Sequence, residues 1–444
     1  MTAQADPSTL SDLEVRTTRK VAWRLLPFLM FCYFVSFVDR VNVGFAALQM
    51  VKDLHMSPKV FGFGGGIFFV SYFLFEVPSN LLLEKVGARL WIARIMITWG
   101  FLAAGTAFIV GPRSFYTMRL LLGTAEAGFF PGVILYLTYW FPREYRARIV
   151  GLFTVAIPVS SFLGSPISAA LLGVDGWMGL RGWQWMFIIE GAPAVFLGLF
   201  CLIVLSDKPS QARWLDAEQK AWLSARLESE SGRSKRVGKI GLWSVLWNKY
   251  VLVLSITLAG STAVSSGLQI WQPQIIKSYG LTNMQTGLLS SIPFALASVI
   301  MVWWGKRSDQ TGERVWHTAL PLMLTAVSLA SALVFHSLTA IIIILCLAVI
   351  GIYAGKGPVW ALSADWLSAG TAAAGLAQMN AISNLAGFGT TYVVGSIRQA
   401  TGNYPLAILP LACLSGVGAL AVLWIAREKP TTRVPEIEPL NQRG

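Results

Sequence analysis

Charged residues are scarce in this sequence. Lys, Arg, Asp and Glu make up 13% of its 444 residues, whereas soluble proteins carry about 25%. Hydrophobic residues make up 55%. A chain of this length could form two or three soluble domains, but such domains need charged surfaces to remain in solution. The composition therefore excludes an ordinary soluble protein and indicates an integral membrane protein.

Cysteine and histidine are also few, with four and three residues. The cysteines lie far apart within apolar stretches, which predicts small buried side chains rather than a disulfide framework. The histidines lie near predicted helix ends and have no companions that could complete a metal site. The sequence also shows no nucleophile–base–acid arrangement and no complete nucleotide-binding loop. We therefore expect no metal, no cofactor and no enzyme activity.

Long apolar runs, each near the 20 residues that cross a bilayer, predict twelve transmembrane helices. The first six are predicted at 25–49, 61–83, 91–110, 115–140, 149–172 and 183–205. The second six are predicted at 250–276, 286–304, 318–335, 340–363, 375–397 and 404–426. The sequence thus predicts an all-α membrane protein with an N-terminal six-helix bundle (1–205), a polar linker (206–247) and a C-terminal six-helix bundle (248–444).

The net charge of +13 first suggests nucleic-acid binding, but the positions of the basic residues explain it otherwise. With the N-terminus in the cytoplasm, 26 Lys and Arg fall on the cytoplasmic side and 6 on the outer side. This asymmetry is the positive-inside rule. Residues 1–20 are polar and do not resemble a signal peptide. We expect a multi-pass protein of the bacterial inner membrane with both termini cytoplasmic, and no nucleic-acid partner.

An internal repeat supports the division into two bundles. The pattern acid-x-x-Gly-x-Arg follows both the second and the eighth predicted helix, 225 residues apart. We expect these two loops to act in conformational gating; their residues are Glu84, Gly87 and Arg89 in the first, and Asp309, Gly312 and Arg314 in the second. Two parallel halves of six helices are typical of carriers that alternate access by rocking. The sequence of the linker predicts a surface helix near 217–230. Its expected role is to join the two bundles, and binding of a regulator is the alternative.

Five ionisable residues inside predicted helices are candidates for the transport site, because charges in a bilayer are costly and mark substrate or proton paths. They are Asp39, Arg40, Arg119, Glu126 and Lys356. Arg119 and Glu126, seven residues apart, share a helix face. The Arg119 guanidinium can bind a carboxylate through two hydrogen bonds, and Glu126 can change protonation as a cavity opens and closes. The alternative for this pair is a static ion network that braces the fold.

Asp39 and Arg40 are adjacent, so their side chains point about 100° apart around a helix. We expect Arg40 to face the central cavity and Asp39 to pair elsewhere or to titrate. The alternative for Asp39 is a hydrogen bond that only packs helices together.

Polar uncharged residues within the helices provide further candidates for substrate binding. Tyr72 could donate its hydroxyl to a substrate oxygen. Gln269 and Gln272 share one helix face, as do Asn380 and Asn384. Each could equally satisfy a neighbouring helix without a ligand.

Lys356 lies among glycines and a proline in the tenth predicted helix. A second cation opposite Arg40 and Arg119 would suit a dianion. Alternatively, its long side chain could extend to the cytoplasmic interface.

Four stretches of the sequence resemble the major facilitator superfamily, and within it the anion:cation symporter family. The loop GKRSDQTGER (305–314) resembles the superfamily's signature loop. The segments FVDRVNVG (37–44), YFLFEVPSN (72–80) and RLLLGTAEAG (119–128) resemble the anion:cation symporters. This resemblance implies a twelve-helix fold and proton-coupled transport of organic acids such as sugar acids, tartrate, phthalate or hydroxyphenylacetate. It also implies that Arg40 binds substrate and that Asp39 and Glu126 take part in proton coupling.

The sequence therefore predicts a monomeric secondary transporter in the lipid bilayer that imports a small organic anion by proton symport. A proton-coupled exporter of drugs or metabolites with the same fold is one alternative. A membrane sensor that binds a ligand without transporting it is another.

Overall fold

The computed structural model describes residues 7–234, 247–367 and 369–427, and these residues form fourteen α-helices. Those of the first half are α1 (Pro7–Asp53), α2 (Pro58–Val86), α3 (Ala88–Gly105), α4 (Pro112–Glu126), α5 (Phe129–Thr138), α6 (Arg143–Leu171), α7 (Gly182–Val204) and the linker helix α8 (Ala217–Ser234). Those of the second half are α9 (Lys249–Lys277), α10 (Asn283–Thr311), α11 (Val315–Ser331), α12 (Leu338–Trp366), α13 (Ala369–Thr401) and α14 (Tyr404–Arg427). The predicted C-terminal tail from 428 and part of the predicted linker, 235–246, lie outside the described residues.

Twelve membrane spans arise from these helices, because α4 and α5 together form the fourth span and α8 lies outside the set. Ten spans are long and apolar enough to cross a membrane. The ninth, α11, is shorter, and the eleventh, α13, is rich in Gly, Ser, Thr and Asn. The prediction of an all-α fold with twelve spans is confirmed.

The fourth span is interrupted immediately after Glu126. Ala127 has ψ 130°, and Gly128 has φ +86°, a left-handed conformation that strongly favours glycine. The Ser79 hydroxyl packs against Gly128 so closely that a Cβ atom there would overlap it. The sequence Glu-Ala-Gly thus ends one helix at a buried carboxylate and starts the next at Phe129.

The two repeat loops have the same backbone feature in each half. Gly87 has φ +99° and Gly312 has φ +66°, which explains the glycine in both copies. Their polar partners differ. The Arg89 backbone N–H donates to Asp207 (2.8 Å), whereas the Arg314 guanidinium pairs with Asp309 (2.6 Å).

The linker helix α8 lies where the sequence predicted a surface helix, and it is tied to the start of α6. Glu230 pairs with Arg146 (3.1 Å), and Arg226 pairs with Glu144 (3.0 Å). These ion pairs are partly or largely exposed, so each contributes little stability alone.

The two halves meet closely at the end of the molecule opposite both termini, which we call the far end. It carries the loops 54–57, 278–282 and 402–403. Glycines make this contact possible: a Cβ atom on Gly395 would overlap the Pro58 carbonyl, and one on Gly287 would overlap Ala169. The Phe61 and Trp271 rings pack edge to face beside them (5.4 Å). The structure therefore shows the far end closed.

We predict that Gly287→Val holds the far end open. The larger side chain must overlap Ala169 and the Ser165 carbonyl (2.8 Å from an ideal Cβ), and overpacking of this kind costs about 1–3 kcal/mol. The distance between spin labels at positions 55 and 403 should lengthen. Gly305→Val in the same helix is the control, because a Cβ atom at Gly305 meets nothing within 4 Å. An unchanged distance distribution in Gly287→Val would show that this contact does not govern closure.

Candidate functional site

An ion pair between the first and fourth spans lies at the centre of the N-terminal half. Glu126 Oε1 accepts from Arg40 Nη2 (2.6 Å), from Arg40 Nε (2.8 Å) and from the Ser36 hydroxyl (2.8 Å). The Glu126 side chain is 1% exposed and that of Arg40 is 20% exposed. Glu126 Oε2 has no hydrogen-bond partner. The pair is therefore buried on the carboxylate side and accessible on the guanidinium side.

Aromatic rings surround the Arg40 guanidinium. Its Cζ lies 4.9 Å from the centroid of the Phe37 ring, 5.5 Å from that of Phe68 and 5.2 Å from that of Tyr72. Cation–π attraction of this kind stabilises a guanidinium away from water. Tyr72, a predicted substrate ligand, thus lies directly beside the Arg40–Glu126 pair.

Arg119 is a second buried cation, and none of the described carboxylates forms a salt bridge with it, although the charges of Asp39 and Glu126 act on it from a longer distance. It is 3% exposed, its Cζ lies 4.7 Å from the centroid of the Phe68 ring, and its Nη2 donates to the Gly65 carbonyl (3.2 Å). Its Nε has no partner. Among the described residues, no carboxylate oxygen lies within 4.0 Å of it. A buried cation without a counter-ion is costly, so this position attracts an anion.

Asp39 faces away from this ion pair, as its adjacency to Arg40 predicted. Its Oδ2 accepts from Trp99 Nε1 (2.7 Å), and its Oδ1 accepts from Asn42 Nδ2 (2.9 Å). Asp39 is 3% exposed. It is thus enclosed among α1, α3 and α7 rather than in direct contact with Arg40 or Arg119.

Lys356 supplies a cation from the C-terminal half. It is half-buried, and its Nζ lies 4.5 Å from the centroid of the Tyr353 ring. Tyr353 is one turn closer to the far end, so the ammonium points back toward the middle of α12 and not toward the end that carries the termini. Its charge lies near enough to Arg40 for the two to interact. The two halves therefore each contribute one cation within electrostatic range of the other.

The two predicted glutamines have different surroundings. Gln272 Nε2 donates to the Ser290 carbonyl of α10 (3.0 Å), which is a helix-packing bond. Gln269 is buried beside the Tyr353 hydroxyl, close to Lys356. Of this pair, the structure places Gln269 nearer to the candidate site.

Asn380 and Asn384 share a face of α13, and both approach Glu76 of α2. Both amides donate to the Glu76 carboxylate, Asn384 at 3.5 Å. This contact is a polar bridge between the two halves. Sequence reasoning placed Glu76 within a family-like segment but did not treat it as an ionisable group in the membrane.

Glu190 of α7 is a further buried acid that sequence reasoning missed. It is 5% exposed, and its Oε1 accepts from the Ser168 hydroxyl (2.7 Å). Both Glu76 and Glu190 lie within predicted apolar spans. The rule that singled out Asp39 and Glu126, that an intramembrane acid marks function, would have found them.

Comparisons with known proteins show the family and the fold of the chain. The Major Facilitator Superfamily pattern matches residues 29–391. A protein of Agrobacterium vitis named "Putative tartrate transporter" is 47% identical over 420 residues, which cover 95% of this chain and 97% of that protein. The "Quinolone resistance transporter" of Acinetobacter baumannii is 35% identical and covers 96% and 99%. The inward-open structure of the Escherichia coli xylose transporter XylE has a TM-score of 0.72 at 14% identity, covering 93% of this chain and 97% of that one.

We predict that Trp99→Phe destabilises the protein through Asp39. Removing the indole N–H leaves a buried carboxylate oxygen without its donor, and a hydrogen bond to a charged group contributes about 1.5–3 kcal/mol. Trp91→Phe in the same helix is the matched control, because Trp91 Nε1 donates to the neutral Ser79 hydroxyl (3.0 Å), worth about 0.5–1.5 kcal/mol. Thermal unfolding in detergent should show the larger loss for Trp99→Phe. Equal losses would mean that Asp39 does not need this donor.

Proposed function

The chain belongs to the Major Facilitator Superfamily, and on that premise we propose that it imports a small organic anion together with protons by alternating access. The cargo is a carboxylate or dicarboxylate, such as tartrate, phthalate or another hydroxy or aromatic acid. The observation that carries this proposal is the buried Arg40–Glu126 ion pair next to Arg119, a cation that forms no salt bridge with any described residue.

The Arg40–Glu126 pair provides a simple means of coupling the transport of a proton to the transport of the anion. While Glu126 is ionised, it holds Arg40 through two hydrogen bonds. A proton on Glu126 removes the negative charge, so the guanidinium becomes available to a cargo carboxylate. Loss of the proton restores the pair and displaces the anion. Proton and anion therefore bind together and leave together, which is the requirement for symport. Asp39 is a second candidate for carrying a proton.

The other cavity residues then fix the position of the cargo. Arg119 attracts the carboxylate electrostatically, and the Tyr72 hydroxyl lies beside Arg40, where a cargo oxygen would bind. The amides of Asn380 and Asn384 could exchange their bond to Glu76 for one to a hydroxyl or carboxylate of the cargo. Gln269 provides a further donor from the C-terminal half.

A dianion is favoured by Lys356. With Arg40 in one half and Lys356 in the other, a molecule with carboxylates at both ends would join the two halves across the cavity. Such a bridge gives the cargo different contacts in open and closed states, and only differential contacts can drive a conformational change. The relative named for tartrate, a dicarboxylate, supports this choice of cargo.

The proposed setting is the bacterial inner membrane, with both termini cytoplasmic and the protein acting as a monomer. The excess of Lys and Arg on the side of the termini supports this orientation. The closed far end is then the periplasmic side, and the repeat loops 84–89 and 309–314 lie at the cytoplasmic side, where they would gate release.

Export is the second candidate, because the Acinetobacter baumannii relative is named for quinolone resistance. The same buried acid could couple proton entry to efflux. Three cationic groups in the cavity, however, favour an anionic cargo over a cationic drug. The direction of movement under a proton gradient separates the two functions.

We predict that purified protein in liposomes containing a pH dye acidifies the lumen when an organic-anion gradient is imposed. The panel is tartrate, phthalate, 4-hydroxyphenylacetate, galactonate and glucuronate. Glu126→Gln should abolish the acidification driven by the anion gradient, because its amide cannot take up the proton that couples anion binding to proton entry, and Arg119→Gln should abolish anion uptake. Glu144→Gln, which removes an exposed surface acid, should behave as the wild type. Tight ligand binding without any flux would instead support a sensor, and normal uptake by Arg119→Gln would contradict the proposed site.

We predict that Lys356→Gln weakens the binding of dicarboxylates but not that of monocarboxylates. Losing one charged hydrogen bond costs about 1.5–3 kcal/mol, so KM for a transported dicarboxylate should rise roughly ten- to hundredfold, while KM for a transported monocarboxylate changes little. Lys59→Gln is the matched control, since Lys59 also lies over a tyrosine ring (5.8 Å, Tyr392) but at the far end. An equal rise in KM for both cargo classes would show that Lys356 does not bind the second carboxylate.

A further inference from the structure

Glu190 belongs to a buried cluster that the Arg40–Glu126 mechanism does not use. It lies in α7, whose next residue, Gly191, packs directly against the backbone of α3 at Ala104. The cluster occupies the face of α1 that carries Asp39 and Asn42, away from Arg40 in the cavity. Glu190 is 5% exposed and Asp39 is 3% exposed. Two carboxyl groups are thus enclosed within the N-terminal half.

The amide of Asn42 lies beside both carboxyl groups. Asn42 Nδ2 donates to Asp39 Oδ1 (2.9 Å), and the Glu190 carboxyl lies near the same side chain without a hydrogen bond to it. The other donors are Trp99, to Asp39 Oδ2 (2.7 Å), and Ser168, to Glu190 Oε1 (2.7 Å). The cluster therefore joins the first, third, fifth and sixth spans.

No cation compensates these two acids directly. The groups facing Glu190 are Asp39 and Asn42 from α1 and the Ser168 hydroxyl from α6, and α3 contributes the Trp99 indole to the cluster. Among the described residues, no Lys, Arg or His side-chain nitrogen lies within 4.0 Å of either carboxyl, and the charge of Arg119 acts on Asp39 only from a longer distance. Two negative charges around one amide, in an apolar interior, repel each other strongly, so such a site holds a proton on one of the acids.

The pattern of donors indicates which acid holds the proton. Both Asp39 oxygens accept from N–H groups, which suits an ionised carboxylate. Glu190 Oε2 has no partner, and neither has Asn42 Oδ1. A proton on Glu190 adds the donor that this cluster lacks, and unsatisfied buried acceptors are otherwise rare.

We propose that Glu190 is a second proton-binding site, protonated in the state described here, which shares one proton with Asp39. When the proton moves to Asp39, Glu190 becomes ionised and can take up a new proton, and Asp39 then releases the first one, so that one proton passes through the cluster in each cycle. The resting protonation of Glu190 stands on the geometry alone. Its participation in the transport cycle rests on the proposed proton symport, in which it would give a path for protons separate from the Glu126 switch.

Infrared spectroscopy of the protein in bilayers tests the resting proton without any cargo. The wild type should show a carbonyl band of a neutral carboxylic acid that shifts in D2O. Glu190→Gln should lack this band. Glu126→Gln, which removes a different buried acid, should keep it. If Glu190→Gln does not fold, Ser168→Ala serves instead: losing the hydroxyl donor to Oε1 should move the same band to higher frequency. A spectrum unchanged by substitution at Glu190, or by Ser168→Ala where that variant stands in, would overturn the proposal.

Transport measurements test the second step. In liposomes, Glu190→Gln should retain exchange of anion for anion, which needs no net proton movement, and should move fewer protons per anion than the wild type. An unchanged proton-to-anion ratio would reduce Glu190 to a static neutral acid and overturn its role in the cycle. If the wild type moves no protons with any anion, the proposed symport fails, but the infrared result still decides whether Glu190 holds a proton.

Discussion

The free-energy cost of burying a charge without a partner determines how the ionisable residues at the centre of this protein are arranged. Arg40 meets that cost through Glu126 and three aromatic rings, whereas the described contacts of Arg119 are a backbone carbonyl and the Phe68 ring, with the charges of Asp39 and Glu126 at a longer distance. A cavity built in this way is incomplete without an anion. The proposed cycle follows from this imbalance, because an arriving carboxylate and a proton on Glu126 each change which cation is paired.

The backbone of the fold serves that electrostatic arrangement. The break after Glu126 depends on Gly128 and on the Ser79 hydroxyl that packs against it, so a residue of the second span helps to determine where α4 ends within the fourth span. The carboxylate is thereby held at a helix end, next to Ser36 and Arg40 of the first span. Three spans thus converge on one carboxylate, and movement of any of them alters its surroundings.

The sequence was sufficient for the twelve spans, because apolar length is a local property. It was also sufficient to place Asp39 and Arg40 on different sides of their helix, since 100° per residue is fixed geometry. Which side chains pair with each other across two helices could not be predicted from the sequence in this way. Nothing local indicates that Glu126 pairs with Arg40 rather than Arg119, or that Asn380 approaches Glu76. Gln272 was placed with Gln269 by spacing, yet its partner is a carbonyl of α10, which only packing determines.

The closed far end rests on contact of backbone with backbone, at Gly44 against Ile270 and at Gly395 against Pro58. Aromatic rings such as Phe61 and Trp271 pack beside these backbone contacts, and such rings expose little polar surface to water when this contact parts. Its strength comes mainly from many weak dispersion contacts, each worth about 0.1–0.2 kcal/mol, which are lost steeply once the backbones separate. The contact between the two halves at the far end is therefore expected to be either fully closed or fully open. A half-open state, through which solutes could leak, is disfavoured.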